Sequence, residues 1–295
     1  MKSIYKNYKI SKELLPDMTY AIDQLTANQE GFGSFIMSVT SFFKKKIEAI
    51  AGIFGINGKN DTKEVSKETA ALYKEFSKFD KTVNQTVKSE DKIYNSLRSI
   101  LIPWIPGVKP DLYSLVTGLK LQVDEVQNKA LPLLDQTDTF ISKLLGDEDY
   151  RTSIIPNKEL VDNLKKYSKD TTNYLTDIIN GKQVADSREF EDVIPNMQSI
   201  ETIHNTLKDL LFAKDLEKVQ EVFNYANKIG NNAKELLSQA QKNQLNISKV
   251  RANELGPVLQ ESAAIVTNVA AIIRILDASV KIHKAILEKL SYLVK

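Results

Sequence analysis

The sequence predicts an all-α protein: an elongated bundle of long amphipathic helices, coiled-coil-like in part. Three observations predict it. The 295 residues hold eleven glycines and eight prolines, about 6% of the chain where roughly 12% is usual, too few for the many tight turns of an all-β or α/β fold. Residues 61–102, 157–180, 196–229, 231–255 and 258–295 contain neither. Within these runs apolar side chains return at every third or fourth position, the period of one helix face. No strand is expected, and no repeat of fixed period is found.

The first helix is expected to begin near Pro16, a residue suited to a first helical turn, and to end before Gly31 and Gly33. A strongly apolar amphipathic stretch follows, with Phe35, Ile36, Val39, Phe42, Phe43, Ile47, Ile50, Ile53 and Phe54 around a central Lys44-Lys45-Lys46. Residues 55–61 read as a loop. From 62 to 102, Val65, Leu72, Phe76, Phe79, Val83, Ile93, Leu97 and Ile100 give a heptad-like rhythm. Forty helical residues would span about 60 Å and need partners along their whole length. Three prolines in residues 103–110, with the only tryptophan, Trp104, form the sharpest break in the chain.

A second long helix is expected over 111–145, on the stripe Leu112, Leu115, Leu119, Val123, Val126 and Leu133, kinked at Pro132. Residues 146–156 form an acidic connection through Asp147, Glu148 and Asp149. Asn157 reads as an N-cap and Asn180-Gly181 as a stop. After a polar connection over 182–195, one helix is expected from Met197 to an end near Gly230. A weaker one runs to Leu255, and a last one follows the break at Gly256-Pro257. The domain reading is a helical segment over 1–60 and a long-helix bundle over 61–295, hinged at 103–110 with connections near 146–156 and 181–195.

Chemistry is harder to find. The absence of cysteine excludes disulfides, thiol catalysis, iron–sulfur clusters and thiolate zinc sites. Two histidines, His204 and His283, leave almost no room for a multi-His metal site. Either could be a general base, but neither lies in a motif that would orient it, and both read as ordinary helix histidines. Gly58-Lys59 fails as a phosphate loop, because Asn60 stands where Ser or Thr is needed and Ile53 where glycine is. Asp147, Glu148 and Asp149 lack the ligand spacing of a calcium loop. No catalytic residue, cofactor or metal is expected.

Forty basic against thirty-eight acidic residues leave +2, so no global charge draws the chain to nucleic acid or membrane. Arginine, whose planar fork reads base edges, is scarce. The N-terminal residues carry no secretory signal pattern, so a location in the cytoplasm or within a virion is expected. Residues 258–273, interrupted by Glu261, Thr267 and Asn268, fall short of the roughly 20 apolar residues of a membrane span. Two features stand out. Phe35, Ile36, Phe42, Phe43 and Ile47 could bind a partner or membrane, or pack internally. Trp104 and Ile105 could anchor a contact, or tuck into the core at a hinge. The function expected is that of a non-catalytic assembly subunit, such as a bacteriophage virion component, contacting other subunits through helix faces. The alternative is a membrane-active pore-forming protein that inserts residues 35–54 or 263–276.

Overall fold

The structure, a computed structural model, describes residues 73–88, 90–179, 187–212, 215–242 and 245–293. Within them the chain is helical nearly throughout and the fold is all-α. Residues 73–77 are helical and lead through a turn at Lys78 and Phe79 into α1 (Asp80–Lys88), followed by α2 (Glu90–Leu97) and the short strand β1 (Leu101–Pro103). Then come α3 (Leu112–Glu125), a π-helical turn (Val126–Ala130), α4 (Leu131–Gly146), α5 (Glu148–Thr152) and α6 (Lys158–Ile179). Strand β2 (Ser187–Glu189), α7 (Phe190–Val193), α8 (Met197–Phe212), α9 (Asp215–Gln241) and α10 (Lys249–Leu293) complete the order.

Local chemistry sets several of these ends. Asp111 caps α3, its carboxylate accepting from the Ser114 backbone N–H at 2.9 Å and the Ser114 hydroxyl at 2.8 Å. Asp147 caps α5 by accepting from the Tyr150 N–H at 2.9 Å. Asn196 does the same for α8 through Ser199. The acidic connection is thus a helix start rather than an open loop.

Helix α10 is the axis of the fold. Its 45 residues span about 66 Å at 1.5 Å per residue. Every position from Ile265 to Ala270 is buried, so α10 has no solvent face there and must be enclosed on all sides. Helices α1, α3, α4, α6, α8 and α9 supply that enclosure. Helix α6 lies along it, and at one point α6 comes close to α3: a Cβ on Gly118 would stand 2.8 Å from the Tyr174 hydroxyl.

Four sequence expectations are corrected. The uninterrupted rod over 62–102 is not found in its described part. The chain turns at Lys78 and Phe79, whose N–H groups bond three residues back. It then leaves the helix after Leu97 and enters β1, since Pro103 cannot continue a helix. Strands do occur: β1 pairs antiparallel with β2 in the register Leu101–Glu189, Ile102–Arg188 and Pro103–Ser187. Three residues are too few for a period of two to show in sequence. The end expected near Gly230 is not found, since Gly230 lies inside α9. The break then falls before Lys249 instead of at Gly256-Pro257, and α10 runs through Pro257. Pro257 leaves the Asn253 carbonyl without its helical donor, but Asn253 is exposed and Gly256 and Pro257 are only half-buried, so water can serve that oxygen.

Pro132 is accommodated in a related way. The π-helical turn directly before it widens the backbone, and the Leu131 N–H reaches the Val126 carbonyl five residues back. This wider ring relieves the crowding a proline imposes on the preceding turn.

Candidate functional site

Two features carry the chemistry of the described residues: a closed histidine cluster and an apolar loop at one end of α10. The cluster joins three helical segments. Phe76 comes from residues 73–77, His204 from α8 and His283 from α10. Their ring centroids form a triangle of 5.7 Å (Phe76–His204), 5.8 Å (Phe76–His283) and 5.6 Å (His204–His283). Phe76 and His204 stack nearly parallel, at 8°. His204 is 1% and His283 0% exposed.

Around the rings stands a small charged network. His204 Nε2 lies 2.8 Å from Asp80 Oδ1. The carboxylate can only accept, so Nε2 carries the hydrogen and Nδ1 is a bare lone pair. Lys208 Nζ reaches both Asp80 oxygens at 2.8 and 2.9 Å, and Lys284 pairs with Glu75 at 2.5 Å. His204 Nδ1 and both nitrogens of His283 are closed off from solvent and bond to nothing. Burial pushes Asp80 up, but the hydrogen bonds from Lys208 and His204 and the positive charge of Lys208 outweigh it and hold the carboxyl below its usual value. Burial pulls His204 below its ordinary value despite Asp80. His283 has no carboxylate against it and lies well below, through burial and the neighbouring His204. Both rings are therefore neutral at pH 7. Under Phe76 the cluster is shut off from a substrate; what it can do is take up protons.

The apolar loop follows α5. Ser248 Oγ donates to the Ser153 carbonyl at 2.7 Å, the Ser248 N–H to the Arg151 carbonyl at 3.1 Å, and Glu254 accepts from the Asn157 N–H. Arg251 lies 4.1 Å from the Tyr150 ring centroid and pairs with Glu254 at 2.8 Å. Between these anchors Ile154 and Ile155 stand 78% and 73% exposed. The far end of α10, roughly 60 Å along the helix, carries a second apolar group: Leu101 and Ile100 are exposed beside Lys289, whose Nζ is 3.5 Å from the Leu101 carbonyl.

Phe35, Ile36, Phe42, Phe43 and Ile47 lie outside the described residues. Trp104 and Ile105 are buried. Trp104 Nε1 donates to the Val108 carbonyl at 2.8 Å, and the Arg188 guanidinium stands 5.0 Å from its ring centroid. Gly107, at φ 81°, allows the turn from Ile105 to Val108 that closes this loop. Asp147, Glu148 and Asp149 serve α5, and among the described residues no group of three metal-ligating side chains comes together.

The histidine cluster had a partial signal. His204 falls on the stripe of Ile200, Ile203 and Leu207, and His283 on that of Val280 and Leu287; read as exposed or partly packed helix histidines, both are in fact buried, and that they meet depends on α8 crossing α10. Ile154 and Ile155 gave no signal, since two isoleucines beside Pro156 have no period. Compared with known proteins, the chain matches no family model, no curated protein and no solved structure.

Proposed function

We propose that the protein is a non-catalytic assembly subunit: an elongated helical bundle, coiled-coil-like in part, that joins other subunits of a large particle through apolar side chains at its surface. The observation that carries this reading is the Ile154–Ile155 pair. Most large apolar side chains of the described residues are buried, yet these two are held in water on a loop anchored at both flanks. Exposed apolar side chains on a fixed loop suit a partner's pocket. The placement in a phage virion draws on composition alone, lysine-rich and free of cysteine.

Sedimentation velocity tests the reading, on the chain alone and mixed with the proteins that co-purify with it. Ile154→Asp with Ile155→Asp should abolish the larger species and leave the free energy of unfolding within about 0.5 kcal/mol of the parent, as for other exposed sites. Larger species that survive both substitutions would remove this loop from the interface.

One observation favours the membrane-active alternative. Helix α10 contains an 18-residue window of mean hydropathy 1.7, long and apolar enough to cross a bilayer, with 78% of it buried inside the fold. Core helices of water-soluble proteins share that property. Exposing it to lipid would dismantle the core and bring Arg274 and Asn268 into hydrocarbon. Dye-loaded liposomes separate the readings: the assembly subunit causes no leakage at pH 7.5 or 5.

A further inference from the structure

We propose that the Phe76–His204–His283 cluster is an acid-sensitive latch, whose protonation releases residues 73–88 from α8 and α10. The proposal goes beyond assembly and does not depend on what the ends of the molecule bind. Three imidazole nitrogens stand closed off and unpartnered in a space lidded by Phe76. A proton arriving on His283 finds no carboxylate against it.

The surrounding charges do not rescue it. From the lid come Asp80 and Glu75, from α8 His204 and Lys208, and from α10 Lys284. Lys208 already neutralises Asp80, and Lys284 already pairs with Glu75. Protonating His204 strengthens its bond to Asp80, but the two histidines together still add two positive charges that nothing in the cluster balances. The cheapest way to hydrate them is to lift the lid. Residues 73–88 bury few large side chains, Phe76 and Val83 foremost, whereas α10 is enclosed along most of its length. The lid is therefore the element that opens before the core does.

Each histidine that binds its proton only after release shifts the opening equilibrium tenfold per pH unit below the ordinary value of about 6.5. From pH 7.5 to 5 that amounts to roughly thirtyfold for His283 alone, and more if His204 follows.

Hydrogen–deuterium exchange, corrected for the intrinsic pH dependence of amide exchange, tests the latch. Protection of residues 73–88 should fall about thirtyfold or more between pH 7.5 and 5, while α10 keeps its protection. His283→Phe, which fills the same space without a proton site, and His283→Gln should both lose less protection over residues 73–88 at pH 5 than the parent, retaining at most the response of His204. The proposal is overturned if residues 73–88 stay protected in the parent, if α10 opens with them, or if the variants respond to acid as the parent does. Should neither variant fold, imidazole NMR on the parent decides. The His283 titration and the opening of residues 73–88 must coincide; separate midpoints overturn the latch.

Discussion

A single glycine shows how local conformation supports the core. Gly107 follows Pro106 in the turn that brings the Val108 carbonyl to the Trp104 ring nitrogen. Its positive φ is open to glycine and costs an L side chain roughly 1–2 kcal/mol, so Gly107→Ala should lower stability by about that amount in urea unfolding. The two histidines set a pH dependence with a defined sign. Burial holds both below 6.5 in the folded protein, so the unfolded chain binds protons the folded chain refuses. Stability is full above about pH 6.5 and falls as pH drops below it. Asp80, held below 3.8, contributes stability present above 3.8 and lost as pH falls further. Both effects run the same way. The urea midpoint should be higher at pH 7.5 than at pH 5.5, and a higher midpoint in acid would contradict neutral, buried rings.

Helices carry the next set of tests. Gly118 faces the Tyr174 hydroxyl, which is buried without a hydrogen-bond partner, and burial pushes that phenol up to about 12. Gly118→Ala should cost about 1–3 kcal/mol by overpacking. Adding Tyr174→Phe removes the clashing oxygen, and the double variant should regain parental stability or exceed it, since alanine favours helix over glycine by about 1 kcal/mol. A double variant no better than Gly118→Ala would place the strain elsewhere. Pro257→Ala restores the missing bond to Asn253 and should raise the thermal midpoint. Pro257 also shows where sequence reading of elements fails. Gly256-Pro257 has the local character of a stop, yet α10 continues, because the burial of Leu255, Val258 and Leu259 outweighs one lost hydrogen bond on the wet side. The stripes of α3, α6 and α8 were legible because each buries one face and leaves the other in water. The stripe of α10 was harder to read over 265–270, where every position is buried and no contrast remains.

The whole molecule is defined by what its central helix needs and what its ends leave over. Small-angle scattering should show an elongated particle, its longest dimension at least the roughly 66 Å of α10; a sphere of the same mass would contradict the proposed bundle. Ile154→Asp with Ile155→Asp should alter association and spare the fold, whereas Phe76→Asp, placing a charge in a fully buried site, should destabilise it by several kcal/mol in the same unfolding assay. That contrast separates the surface that would meet other subunits from the one that holds the protein together.

Taken alone, the sequence determined that the chain is helical and which side of most helices turns inward, because breakers and the spacing of apolar side chains act over one or two turns. Only the tertiary structure decided where two strands pair, that a proline passes through α10, that His204 and His283 meet under Phe76, and that Ile154 and Ile155 stay outside. Those outcomes depend on which groups arrive from distant parts of the chain. Burial energy belongs to the pair in contact and is not written in either partner's local spacing.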